Sequence, residues 1–259
     1  MATAELGEVS IHYQIAGDAG LPVLVLSHAL GVNMAMWEPQ VEAFSVHFRL
    51  LSYDVRGHGQ SSIPSGPYSV EDLGRDVLKL LDALEIQQVS FCGVSMGGLI
   101  GQWLGIHASS RIQNLILASS AAKIGTAESW NARITAVAEG GLAPLIPATL
   151  ERWLNADYRS SHPESTAAIG TMLLSANQRG YSASCAAVRD ADFRAELSAI
   201  HAPTLVISGS YDPSTTPTDG RFLADHTPGA RFVELPAAHL CNVDAAAEFN
   251  TVVLDFLRN

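Results

Sequence analysis

Val89-Ser90-Phe91-Cys92-Gly93-Val94-Ser95-Met96-Gly97-Gly98-Leu99-Ile100 is the stretch on which the fold turns. Val89–Cys92 is a short apolar run, and it reads as a buried strand. Met96–His107 reads as a helix. Between them, Gly93-Val94-Ser95-Met96-Gly97 has the G-x-S-x-G spacing that puts a serine on a sharp strand-to-helix turn. Such a turn strains the serine backbone, so its neighbours must lack side-chain bulk, and glycine supplies that. The hydroxyl then stands free at a helix N-terminus, whose dipole favours a developing anion. Ser95 is the candidate nucleophile.

Working outward, short apolar runs alternate with amphipathic stretches. Val9–Ile15 alternates like a half-exposed strand and is followed by a turn at Gly17–Gly20. Val23–Ser27, Arg49–Tyr53, Leu115–Ala118, Thr204–Ser208 and Ala230–Leu235 read as further strands. Ser69–Glu85 is the clearest helix. Ser69 and Asp72 give a capping start signal, and Leu73, Val77, Leu80, Leu81 and Leu84 make one apolar face. Ala245–Leu257 reads as a closing helix. This rhythm predicts an α/β fold, with a mostly parallel sheet covered by helices on both faces. Between Ser120 and Ala202 the strand-like runs stop, and helical spacing takes over, broken by Gly140-Gly141, Pro144, Pro147 and Pro163. The expected organisation is a core of residues 1–120 and 203–259, with an inserted helical cap, residues 121–202, over the strand ends.

Composition agrees with a single α/β unit of 259 residues, 47% hydrophobic and 16% charged. A net charge of -11 and the lack of any Lys/Arg run argue against nucleic acid and anionic lipid as partners. Residues 1–10 lack the basic and apolar regions of a signal peptide, and no apolar run approaches membrane-spanning length. Cys92, Cys185 and Cys241 are odd in number and widely spaced, so they are expected as buried apolar residues, not disulfide or metal partners. A cytoplasmic setting fits. No H-E-x-x-H and no Cys/His cluster calls for a metal, and no cofactor is implied. Nothing in the sequence suggests a partner surface.

A serine hydroxyl needs a base, and the base needs a third group to orient it. When the serine sits on such an elbow, the chain order is serine, acid, histidine. Asp212 follows the strand Thr204–Ser208, and His239 lies in Pro236–Leu240 after the last strand. Both sit at C-terminal strand ends, where open α/β sheets bind ligands. His12, His47, His107, His162, His201 and His226 lack that context. His28 and His58 compete more closely but precede Ser95. Ala118–Lys123, an alternative place for the acid, holds no carboxylate. The oxyanion would be met by the N–H of Met96 and by one from the loop after Val23–Ser27, for which Leu30 is the choice.

Several longer stretches resemble one family across almost the whole chain: LSHALGVNMAMWEPQV (26–41), YDVRGHGQSSIPSGPYSVEDLGRDV (53–77), FCGVSMGGLIGQWLG (91–105), ESWNAR (128–133), GYSASCAAVRDAD (180–192) and VELPAAHLCNV (233–243). They are similar to 3-oxoadipate enol-lactonase, an α/β-hydrolase of the β-ketoadipate route of aromatic catabolism. RGHG and GxSxGG are shared by many hydrolases, whereas the GPYS, GYSASCAAVRD and AAHLCNV stretches are narrower. The resemblance implies an acyl-enzyme mechanism on Ser95, Asp212 and His239, and a small lactone substrate with a free carboxylate. One departure is that the family usually has Asn-Ser where this chain has His28-Ala29.

An acidic protein needs a local cation to hold such a carboxylate. Lys123, Arg133, Arg152, Arg159, Arg179, Arg189 and Arg194 are available in the insert. Arg133 is preferred because it lies one helical turn from Trp130, so the two could line a small pocket together. A general carboxylesterase, a perhydrolase or a carbon–carbon hydrolase of ring-cleavage products would use the same triad. A slow-turnover small-molecule receptor is a remoter alternative.

Overall fold

The computed structural model describes residues 1–258. Eight strands form one sheet: β1 (Ala2–Glu5), β2 (Ser10–Ala16), β3 (Val23–Ser27), β4 (Arg49–Tyr53), β5 (Val89–Val94), β6 (Ile112–Ala118), β7 (Thr204–Gly209) and β8 (Arg231–Leu235). Their spatial order is β1-β2-β4-β3-β5-β6-β7-β8. β1–β2 and β2–β4 pair antiparallel, and every pairing from β4 to β8 is parallel. β5 and β7 are buried at every position, which is why they read as unbroken apolar runs. β1 escapes the sequence reading because its residues, Ala-Thr-Ala-Glu, stay largely exposed and show no apolar alternation.

The helix Val70–Ala83 starts as expected, with a complete capping box between Ser69 and Asp72. It is tied to the loop after β4 by Arg56, whose Nε and Nη2 donate to the two oxygens of Asp76 at 2.5 and 2.6 Å. Helices Glu38–Ser45 and Pro217–His226 are additions to the sequence reading. The first buries only Gln40 and Phe44, too narrow a stripe to show as periodicity. The second begins with a Thr216–Asp219 capping box that the sequence did display. The closing helix is interrupted: Cys241–Asp244 and Ala246–Leu257 are separated at Ala245, which leaves helical geometry at φ -129°, ψ 53°.

Between β6 and β7 the chain forms no strand. It forms the helices Ala127–Gly140, Ile146–Trp153, Ala156–Ser161, Pro163–Ser175 and Gln178–Asp190. Ala127–Gly140 packs along Gln178–Asp190, and Ile146–Trp153 against Pro163–Ser175. The three cysteines are free and buried. Among the described residues, no helix is long and apolar enough to cross a membrane.

Candidate active site

Ser95 follows β5 directly and caps the helix Met96–His107 with φ 58°, ψ -112°. That region is costly for a residue with a Cβ, of order 1–3 kcal/mol, so its surroundings must enforce it. Ser95 N–H donates to Ala118 O at 2.9 Å, and its carbonyl accepts from Ser120 Oγ at 3.0 Å. The flanking glycines allow the turn to close. A Cβ on Gly93 would run into the Gly97 carbonyl, and one on Gly97 into the Ser27 carbonyl of β3.

The loop after β8 brings His239 to the serine, with Nε2 2.9 Å from Ser95 Oγ. The other ring nitrogen, Nδ1, lies 2.7 Å from Asp212 Oδ2. Asp212 comes from the end of β7 and is buried. Burial alone would raise its pKa. The facing imidazole, the Thr215 hydroxyl at 2.7 Å and the Ser214 N–H at 2.7 Å outweigh that and hold the carboxyl below its ordinary range. An ionised acceptor at Nδ1 keeps the proton there and leaves the Nε2 lone pair facing the serine hydroxyl.

Leu30 lines the same cavity as Ser95 and His239. Met96, buried, is the first residue of the helix beyond Ser95. The loop carrying Leu30 is fixed by His28, His58 and Asp54. His28 Nε2 accepts from Val55 N–H at 2.9 Å, so Nδ1 carries the proton and donates to Ala29 O at 2.8 Å. A trans peptide sends its N–H opposite to its C=O, so this bond turns Leu30 N–H away from the histidine. His58 Nε2 accepts from Gly31 N–H at 3.0 Å. Asp54 Oδ1 and Oδ2 accept from Met34 and Gln60 N–H, both at 2.9 Å. Burial pushes the pKa of His28 down to about 4, against the Ala29 hydrogen bond. Burial, and next the nearby His28, push His58 down to about 3.

The cavity over Ser95 holds about 200 Å³, and Trp130, Arg133, Arg152 and Trp153 of the insert line it. Trp130 Nε1 donates to Ile124 O at 2.7 Å, which fixes its ring. The Arg133 guanidinium lies 5.6 Å from the Trp130 ring centre and donates to Tyr181 Oη at 2.9 Å. Arg152 donates to Thr149 Oγ1 at 3.2 Å. Burial lowers the pKa of Arg152, and the Arg133 charge lowers it further. Among the described residues, neither guanidinium has a carboxylate partner, whereas Lys123 and Arg194 share Asp192 and Arg189 pairs with Asp190. The structure thus brings Trp130 and Arg133 together beside Ser95. It adds Arg152 and Trp153, which the sequence reading had as one of seven cations and not at all. Their adjacency in Leu150-Glu151-Arg152-Trp153 was the available signal. A larger cavity of about 710 Å³, between Asp54 and Met172, contains none of the triad.

A hydroxyl, an imidazole and a buried carboxylate in one hydrogen-bonded line, on a strand-to-helix elbow, are the arrangement of a serine hydrolase. Residues 22–246 match the family model described as alpha/beta hydrolase fold. The chain is 42% identical over 246 residues to 3-oxoadipate enol-lactonase 2 of Acinetobacter baylyi, covering 95% of this chain and 92% of the relative. It is 39% identical to 3-oxoadipate enol-lactonase 1 of the same organism, over 96% of this chain and 94% of the relative. The crystal structure of the enol-lactonase from Burkholderia xenovorans LB400 superposes with a TM-score of 0.98 at 43% identity, covering 100% of both chains. The chain belongs to the alpha/beta hydrolase family and, within it, to the group of 3-oxoadipate enol-lactonases.

Proposed function

We propose that this protein hydrolyses 3-oxoadipate enol-lactone to 3-oxoadipate through an acyl-enzyme on Ser95. His239 Nε2 takes the hydroxyl proton as Ser95 Oγ attacks the ring carbonyl, and Asp212 stabilises the imidazolium. The N–H groups of Leu30 and Met96 receive the oxyanion, where one donor is worth about 3–4 kcal/mol of barrier. Collapse breaks the ring C–O bond. The enol oxygen takes the proton from His239, stays tethered through the acyl chain, and tautomerises to the ketone. Water, deprotonated by His239, then attacks the acyl-enzyme. Ser95 leaves with that proton, giving a second carboxylate.

The observation that carries this reading is the pair of guanidiniums, Arg133 and Arg152, that have no carboxylate ion pair among the described residues and line the cavity that holds Ser95 and His239. Two cations in a pocket of about 200 Å³ suit a small substrate with a free carboxylate better than a neutral ester. The enol-lactonase names of the relatives support the same substrate. In this reading residues 121–202 act as a cap that supplies the substrate side of the pocket. The acidic charge of -11 supports an enzyme with neither nucleic acid nor anionic membrane as partner.

Turnover of the enol-lactone beside p-nitrophenyl acetate tests it. We expect the lactone to be far the better substrate by kcat/KM, and Ser95→Ala to remove both activities. A faster acetate reaction would keep the triad and discard the lactone.

A further inference from the structure

The backbone after His239 is held directly by the insert, and the backbone before it by Asp244, which the insert also contacts. Leu240 N–H, just after it, donates to Trp153 O at 2.9 Å. Ala238 N–H, just before it, donates to Asp244 Oδ2 at 2.6 Å. The same Asp244 oxygen accepts from Asn155 N–H at 3.1 Å. One carboxylate oxygen therefore joins the histidine loop to residues 153–155, which continue directly from Arg152 and Trp153 on the cavity wall. The Trp153 ring also lies along the His239 ring, with centroids 6.3 Å apart and planes 29° from parallel.

Asp244 is distinct from the triad acid. It makes no hydrogen bond to the imidazole; it accepts from the backbone N–H groups of Ala238 and Asn155, and the Asn155 side chain also bears on it. The loop is also held by Ala237 N–H donating to Leu235 O and by Tyr211 N–H donating to Ala237 O, but the acceptor for the N–H of the residue directly before His239 is Asp244, which therefore bears on where the imidazole stands. His239 must meet Ser95 Oγ within hydrogen-bond reach, and small errors in that placement are expensive.

We infer that Asp244 is a positioning residue that latches the insert segment 153–155 to the His239 loop, so that the wall touching the substrate and the general base are set as one unit. A ligand drawing on Arg152 and Trp153 is then felt at residues 238–240. Such a latch makes turnover, more than binding, depend on Asp244.

The inference rests on the Ser95–His239–Asp212 reading and not on the lactone, so the test uses p-nitrophenyl acetate. Asp244→Ala leaves Ala238 N–H and Asn155 N–H without their acceptor. It should lower kcat by about 10- to 100-fold with KM nearly unchanged, since a misplaced base costs chemistry rather than binding. Asp244→Asn offers an amide oxygen where Oδ2 stands and should keep most of kcat. A second pair of variants avoids the carboxylate altogether. Asn155 has φ -66°, which a proline adopts unstrained, and the preceding Leu154 is extended at φ -130°, ψ 134°. Asn155→Pro and Asn155→Ala both lose the side chain, with its cap to Tyr158 N–H and its own interaction with Asp244, but only the proline variant also loses the backbone N–H that reaches Asp244. A several-fold lower kcat for Asn155→Pro than for Asn155→Ala is expected. Equal kcat for that pair, or wild-type kcat for a folded Asp244→Ala, overturns the latch. Turnover surviving in Ser95→Ala would instead overturn the triad reading beneath it.

Discussion

Three loops, after β3, β4 and β8, each carry one buried histidine near Ser95. In the loop after β8, His239 faces a hydroxyl on one nitrogen and a carboxylate on the other. In the loops after β3 and β4, His28 and His58 stand 5.1 Å apart, edge to face, and their Nε2 atoms accept from backbone N–H groups. An amide N–H does not give up its proton near neutral pH, so those two imidazoles can only hold backbone in place. The hydroxyl facing His239 can give up a proton once the imidazolium is stabilised. Partner chemistry, not burial, separates a base from a brace, since all three rings are buried.

Substituting each histidine should expose that difference. His239→Ala removes the base and should lower kcat by about 10⁴-fold or more on any ester. Asp212→Asn, which leaves Nδ1 without an ionised acceptor, should approach the same loss, about 10⁴-fold. His28→Leu should cost less, about 10²- to 10³-fold in kcat, the worth of one misdirected oxyanion donor. Its pH–rate profile should keep the wild-type shape, because the general base stays in place. A displaced acid limb in His28→Leu would show that base and brace do not divide the work as described.

The serine elbow, the order of acid and base, and the parallel strands were legible in the sequence because each leaves a local trace: glycine spacing, apolar runs and turn residues. Ser95, Asp212 and His239 stand in one hydrogen-bonded line, as that reading expected. The competing histidines could not be dismissed on chain order alone. The donors to His28 and His58 are the N–H groups of Val55 and Gly31, and backbone partners carry no sequence signature. The departure at His28-Ala29 has a structural counterpart, since His28 fixes the peptide that presents Leu30 N–H. Arg152 was hidden for a similar reason. What marks it is the lack of a carboxylate ion pair among the described residues and the nearness of Arg133, neither of which one chain position reveals.

Beyond the triad, the cavity cations separate binding from chemistry. Arg152→Gln and Arg133→Gln should each raise KM for the anionic lactone by about 10- to 100-fold, as expected for a lost charge-assisted hydrogen bond of about 1.5–3 kcal/mol. On p-nitrophenyl acetate both variants should match the wild type. Arg152→Gln is the more informative, because relieving repulsion between the guanidiniums could firm the fold while binding weakens. A rise in Tm together with a raised KM would be the mark of a cation kept for substrate. Unchanged KM values on the lactone would show that the carboxylate is held elsewhere.

The smallest expected effect concerns stability and pH, and it isolates the bracing pair. Histidines of the unfolded chain take up protons below their ordinary value of 6.5, while His28 stays neutral to about 4 and His58 to about 3. The unfolded state therefore binds more protons in this window, so stability falls as pH drops from about 6.5 toward 4 and is unaffected by the pair above it. Asp212, held below its ordinary range, adds loss in the same direction at lower pH. Each histidine contributes a slope of up to about 1.4 kcal/mol per pH unit. His58→Gln keeps an oxygen that can accept Gly31 N–H but cannot be protonated there. Denaturant melts at pH 7, 5.5 and 4.5 should give a shallower decline for His58→Gln than for the wild type, by about one proton's slope. The charges nearest this pair are Asp54, which favours protonation of His58, and the neighbouring His28 itself, which opposes it. Parallel declines for wild type and His58→Gln would mean that His58 takes up its proton in the folded state, and that burial and His28 do not keep it neutral.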